Sequence, residues 1–131
     1  MSWLSTRTYY DHINRLVQRR VGPQASAPMI IESLDYTDLQ RLQTAEEWQR
    51  AGAVLADSAR RLEAAGATAV LIASNAMHKV YDQVAAAVGV PVLHIADAVG
   101  AEIRARGMRK VGLLGTRFTL EEPFYLDRLA A

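Results

Sequence analysis

Cysteine is absent from this chain of 131 residues. These residues therefore supply no disulfide framework, no zinc knuckle and no thiol nucleophile. Charge of one sign is lacking too: 15 Lys and Arg stand against 14 Asp and Glu, for a net charge of +1. A nucleic-acid protein carries a basic stripe, so no nucleic-acid partner is expected. No apolar run approaches the roughly 20 residues of a bilayer span, so no membrane partner is expected either. The opening Met1-Ser2-Trp3-Leu4-Ser5 has neither the charged nor the apolar region of a signal peptide. The three histidines, at 12, 78 and 94, show no metal-ligand spacing. Linkers, low-complexity stretches and internal repeats are also missing.

What is present is a core. Half of the residues are hydrophobic and 22% are charged, which excludes intrinsic disorder. The length fits one ordinary domain. A soluble, cytoplasmic globular domain is expected.

The order of elements follows from period and punctuation. Tyr9, Ile13, Leu16, Val17 and Arg20 recur at helical spacing, predicting a helix over residues 6–20 capped by Ser5 and ended by Gly22-Pro23. The apolar run 28–34 reads as a strand, and Thr37 and Gln40 are spaced as a capping box for one short turn. Thr44 and Glu47 form a second box. They open a helix whose buried face carries Trp48, Ala51, Leu55, Ala59 and Leu62, closed by Gly66. The continuous run 68–73 predicts a strand covered on both faces. A helix over 79–88 follows, stopped by Gly89, then a strand over 90–95 with Pro91 near its start. Asp97 is placed to cap a helix reaching Arg106, before Gly107. A fourth strand covers 110–114, and Thr119 with Glu122 opens a last helix. Alternating strands and helices specify an α/β fold: an open, mainly parallel sheet with helices on both faces. The chain opens on a helix and closes soon after a strand, so it is either an unusual small α/β domain or one cut at both ends.

In open α/β sheets, ligands bind outside the carboxyl ends of the strands. The richest such segment is Ser74-Asn75-Ala76-Met77-His78-Lys79. A hydroxyl and an amide beside a helix N-terminus suit a carboxylate-bearing ligand. The same residues are ordinary helix caps, and on spacing alone capping is the simpler reading. His78 is a general-base candidate or a polar residue of the first turn. His94, inside an apolar strand, reads as a hydrogen-bonded core histidine. Lys79 and Arg117 read as solvated cations, and Trp48 as core. Gly115-Thr116 resembles an anion-binding loop without the full glycine spacing of the dinucleotide or phosphate motifs.

Taken together, these segments resemble the aspartate/glutamate racemase superfamily, with closest similarity to its broad-specificity amino-acid racemase branch. Met1-Ser2-Trp3-x-Ser5-Thr6-x-x-Tyr9-Tyr10 resembles a family segment that carries two glycines before the Met. Ser33-x-Asp35-Tyr36, Asn75-x-Met77-His78-Lys79, Leu93-His94-Ile95-Ala96-Asp97-Ala98 and Leu113-Leu114-Gly115-Thr116-Arg117-Phe118-Thr119 match further runs in order and spacing. The resemblance implies two similar α/β halves facing across a cleft, each giving one acid/base residue, usually cysteine. One group takes the α-proton of an amino acid and the other returns a proton to the opposite face. It also implies that no pyridoxal cofactor and no metal is used.

By the same resemblance, Ser74 stands at the position of the first-half cysteine, where the broad-specificity branch can carry threonine. A thiol has a reference pKa of roughly 8.5 and ionises readily. A serine hydroxyl does not, so Ser74 is expected to act as donor or relay rather than as the primary base. Met1, Gln43, Asn75, Ala76 and Thr116 fall on substrate-binding positions, and Ala76 replaces a family threonine. Residues 1–109 correspond to the first half without its first strand, and 110–131 to the start of the second half. The family's first strand would lie between 28–34 and 68–73, so the isolated chain is expected to be marginally stable or oligomeric, a homodimer being the commonest case. Three functions follow: a cofactor-independent amino-acid racemase that is not competent as this chain alone, a degenerate half that binds amino or dicarboxylic acids without catalysis, or a related isomerase or decarboxylase on the same scaffold.

Overall fold

Two complete helix-end motifs frame helix α2 (Ala45–Ala64), the element around which the core is built. The computed structural model describes residues 2–35, 37–39 and 44–130. The Thr44 hydroxyl accepts the Glu47 amide hydrogen at 3.2 Å, and the Glu47 carboxylate accepts the Thr44 amide at 2.9 Å. This is the expected capping box, satisfying two otherwise orphaned groups. At the other end Gly66 turns left-handed, with φ +95°. Its amide donates to the Glu63 carbonyl at 2.8 Å, and that of Ala67 to Leu62 at 3.0 Å, which is a Schellman closure. Gly107, with φ +64°, closes helix α4 in the same way.

Helix α1 spans Trp3–Val21 and begins earlier than expected. Ser2, not Ser5, is its cap: Ser2 Oγ accepts the Leu4 amide at 3.3 Å, while the Ser5 hydroxyl donates back to the Ser2 carbonyl at 2.9 Å. The first turn escapes the apolar period because Trp3 and Leu4 face solvent. Residues 37–39 form a short 3-10 turn, entered as Asp35 Oδ1 accepts the Thr37 amide at 2.8 Å. Gln40, its expected capping partner, lies outside the described residues.

The sheet is smaller than the apolar runs suggest. Strands β1 (Val70–Leu71) and β2 (Val92–Leu93) pair in parallel, Val70 opposite Val92 and Leu71 opposite Leu93. Helix α3 (Tyr81–Ala85) lies in the connection between them. Residues 28–34 and 110–114 form no strand. A strand needs a neighbour for its backbone groups. Between residues 28–32 and 67–73 lies instead a cavity of about 770 Å³, lined also by Thr6, Tyr9, Ile13, Leu55 and Leu62. Residues 110–112 and 114 face solvent, with Leu114 95% exposed, and Leu113 is half-buried. The run 68–73 is not covered on both faces: Val70 and Ile72 are buried, while Leu71 is 40% exposed on the cavity side.

The core packs Trp48, Ala51, Leu55 and Ala59 of α2 against Val70, Ile72, Met77, Val80, Val84 and Val92. Leu62 packs at its margin. The helix expected over 79–88 divides into a 3-10 turn, Ala76–Val80, and α3. Helix α4 (Ile95–Ala105) is capped by His94, whose Nδ1 accepts the Ala96 amide at 3.1 Å. Asp97 is not the cap; it lies in the first turn and pairs with Arg128. Helix α5 (Arg117–Glu121) begins two residues before the expected Thr119 box, and Thr119 is buried within it. Pro123 opens helix α6 (Pro123–Ala130), where its missing N–H costs nothing. Helix α6 packs on α4 and on the 76–80 turn.

Candidate active site

Strand β1 delivers its chain into the core through Ile72 and Ala73, both buried, and then turns outward. The Ser74 amide donates to the Ile72 carbonyl at 2.9 Å, closing a tight bend. Ser74 and Ala76 are half-buried and Asn75 is exposed, whereas Met77 and His78 are about fully buried at 1% and 2% exposure. The loop thus presents Ser74, Asn75 and Ala76 outward from an anchored base. Asn75 makes no side-chain cap, and among the described residues no side chain hydrogen-bonds to the Ser74 hydroxyl. Capping is therefore not what these two polar groups do here.

The anchor is His78. Its Nδ1 lies 2.7 Å from the Ser74 carbonyl oxygen, and its Nε2 lies 3.2 Å from the Ile95 amide nitrogen. An amide can only donate and a carbonyl can only accept, so the ring is neutral and protonated at Nδ1. Burial holds the His78 pKa below the usual histidine range, with hydrogen bonds to the backbone opposing it. Both nitrogens are occupied by backbone, so His78 is not placed as a general base. His94 is the hydrogen-bonded core histidine expected. Burial, then the adjacent His78 ring, lower its pKa to about 4. The two rings sit 4.4 Å apart between centroids. Tyr81 stacks edge-on against His94 at 4.7 Å and donates its hydroxyl to the Val92 carbonyl at 2.9 Å.

Lys79 departs from the solvated reading. Its ammonium is 2.8 Å from the Glu122 carboxylate and 4.6 Å from the centre of the Trp48 ring. Trp48 is core, as expected, and meets Phe118 edge-on at 5.2 Å. Arg117 is exposed and 3.7 Å from Glu121, as a solvated cation should be. Thr116 is exposed at the start of α5, and its hydroxyl is 3.3 Å from that of buried Thr119. A side chain at Gly115 would meet Thr119 at 3.1 Å, so the loop 115–116 fits closely over that residue. Ser74, Asn75 and Ala76 are thus gathered on one turn. Thr116 sits on a separate segment, joined to that turn through Lys79, Glu122 and Phe118. Met1 and Gln43 lie outside the described residues.

The His78 tether has a local signal, since four residues separate it from Ser74. The Lys79–Glu122 and Asp97–Arg128 pairs span 43 and 31 residues and have none. Among the described residues no cluster of three or more His, Asp or Glu is arranged around a metal position. No helix among them is long and apolar enough to cross a membrane.

A small parallel sheet with helices packed on it, and polar residues on the loop leaving β1, is an α/β architecture with a candidate site at a strand end. The sequence matches the Asp/Glu/hydantoin racemase family over residues 1–131, and the chain belongs to that family. The fold is similar to an Asp/Glu racemase candidate from Yersinia pestis, with 44% identity, a TM-score of 0.90 and 98% of this chain covered. It is also similar to an aspartate racemase homologue from Pyrococcus horikoshii, with 35% identity, a TM-score of 0.86 and 98% of this chain covered. The chain spans 56% of the length of each of these two proteins.

Proposed function

We propose that this chain forms the first half of a cofactor-independent amino-acid racemase, an isomerase acting on small or acidic amino acids. Ser74 serves as the proton donor or relay on one face of the α-carbon. Asn75 holds the substrate carboxylate, and Met1, Gln43, Ala76 and Thr116 line the substrate. Residues 1–109 form the first half and 110–131 begin the second, in a cytoplasmic enzyme built as a homodimer. The observation that carries this reading is the turn after β1. There a half-buried hydroxyl and an exposed amide, neither used as a cap, project from a base fixed by buried Met77 and His78.

Racemisation needs two groups on opposite faces, because a single base returns the proton to the side it left. The C–H bond breaks to a base supplied from outside these residues. The new C–H bond forms with the Ser74 hydroxyl proton while Ser74 takes a proton from a water molecule, and the hydroxide left behind is neutralised by the proton that the opposing base releases, so that base, Ser74 and water all return to their starting states. The test is inversion of configuration at the α-carbon by the complete encoded protein, beside Ser74→Ala. Loss of inversion in the variant is expected, and unchanged inversion removes Ser74 from the mechanism.

The alternative is a half that binds amino or dicarboxylic acids without inverting them. The occupied nitrogens of His78 favour it to this extent: no imidazole base stands ready beside Ser74. Saturable binding of aspartate or glutamate with no exchange in the wild type would establish it in place of the racemase.

A further inference from the structure

We infer that His78 is the positioning residue of the site, a two-ended clasp that fixes the Ser74 hydroxyl by holding its backbone against the first turn of α4. The proposal rests on the reading of Ser74 as a proton donor or relay. Its own observations are geometric. One ring nitrogen holds the Ser74 carbonyl at 2.7 Å and the other receives the Ile95 amide at 3.2 Å. The ring is 2% exposed and stands between the loop leaving β1 and the helix that follows β2. It therefore converts the side-by-side placement of the two strands into a fixed position for the residue beyond β1.

The ring's freedom is removed from the other sides as well. His94 lies against it at 4.4 Å, and Tyr81 is stacked parallel to it at 6.4 Å between centroids. Tyr81 is in turn tied to the Val92 carbonyl at 2.9 Å and covered by the Arg128 guanidinium at 4.6 Å. Arg128 is held by Asp97 at 2.6 Å. A ring clamped in this way cannot follow the loop outward, so the Ser74 backbone cannot move without breaking a buried hydrogen bond. Its hydroxyl has no hydrogen bond of its own to fix it among the described residues, which leaves the backbone tether as its means of orientation.

The two ends of the clasp separate by substitution. In His78→Asn the side-chain amide takes the place of Nδ1 and keeps the bond to the Ser74 carbonyl, but the Ile95 amide loses its acceptor. In His78→Gln the amide oxygen takes the place of Nε2 and keeps Ile95, but the Ser74 tether is lost. Racemisation kinetics of the complete encoded protein, the melting temperature, and the Ser74 carbonyl carbon resonance are measured for both variants and for Ser74→Ala. For His78→Gln the expectation is a kcat lower by about tenfold to a hundredfold with KM nearly unchanged, because misplacement of a reacting group costs rate rather than binding. Its Ser74 carbonyl resonance should shift. For His78→Asn the expectation is a kcat within about threefold of wild type despite a lower melting temperature. Equal kcat in the two variants, or losses that follow melting temperature alone, would overturn the positioning role. An unmoved Ser74 carbonyl resonance in His78→Gln would overturn the tether itself. If Ser74→Ala racemises normally while that resonance shifts, the proposed role of Ser74 fails and the tether stands.

Discussion

The Lys79 ammonium lies 2.8 Å from the Glu122 carboxylate and 4.6 Å from the centre of the Trp48 ring. One side chain, five residues beyond Ser74, thereby joins the turn after β1 to α2 and to the segment between α5 and α6. The two ionic side chains are 29% exposed each, so solvent screens the pair only in part. Lys79→Ala should cost about 1–2 kcal/mol, losing the ion pair and the cation–π contact together. Glu122→Gln should cost less than about 1 kcal/mol, since the ring contact survives. Urea denaturation of the two variants checks the order, and an equal cost would deny the ring a role.

Trp48 contributes volume rather than a hydrogen bond. It is 5% exposed, and among the described residues its indole N–H has no partner. Trp48→Ala should destabilise by about 3–5 kcal/mol through loss of burial and a cavity. Trp48→Phe should cost much less, because it removes an unpaired buried donor along with part of the ring. Denaturant midpoints report both. A Phe variant as damaged as the Ala variant would show that the N–H is satisfied in solution.

Acid should unfasten helix α4. His94 Nδ1 accepts the Ala96 amide and His78 Nε2 accepts the Ile95 amide, so both first-turn donors depend on neutral imidazoles. The groups facing this pair are Asp97 on α4, Arg128 on α6, and Asp82 and Tyr81 on α3. Burial lowers both histidine pKa values from 6.5, that of His94 to about 4. The unfolded chain therefore binds more protons than the folded one between these values, and stability rises with pH across that window. The contribution is complete above pH 6.5 and is lost as pH falls towards about 4. His94→Asn, which keeps a capping side chain without a titrating one, should flatten the dependence of the urea midpoint on pH over this interval. An unchanged slope would assign the pH dependence to other groups.

The side of β1 turned from β2 borders the cavity between 28–32 and 67–73, where Leu71 is 40% exposed. Unpaired strand edges next to apolar surface invite association. The isolated chain should show a mass by light scattering that increases with concentration, and Leu71→Lys should shift it towards the monomer. A monomeric wild type at every concentration would show that the cavity closes or stays solvated.

Thr44 offers a local control. Its hydroxyl and the Glu47 carboxylate make the capping box of α2. Thr44→Ala should cost about 1 kcal/mol in a urea titration, and an unchanged midpoint would show that the box adds nothing to stability.

The elements written locally in the sequence were legible in it. The Thr44–Glu47 box and the left-handed Gly66 and Gly107 lie where punctuation predicts them, because each is closed by bonds within five residues. The apolar stripe of α2, from Trp48 to Ala59, is likewise a property of helical period. The turn Ser74-Asn75-Ala76 was legible as a candidate because strand-end loops are where such sheets bind ligands. The proximity of Ser5, Asp97 and Thr119 to helix starts was also legible, but not their roles. Each of these helices begins at a different residue, and Asp97 is taken by Arg128, 31 residues away.

What the sequence by itself determined is the α/β alternation, the main helix with both of its ends, and membership of a family whose motifs it carries in order. Tertiary structure decided which apolar runs became strands, because a strand exists only where a partner accepts its backbone bonds. Val70–Leu71 found Val92–Leu93, whereas residues 28–32 border a cavity and residues 110–112 and 114 face solvent. It also decided that His78 is a clasp and not a base. That distinction depends on whether its second nitrogen is free, and the Ile95 amide, 17 residues away in sequence, occupies it.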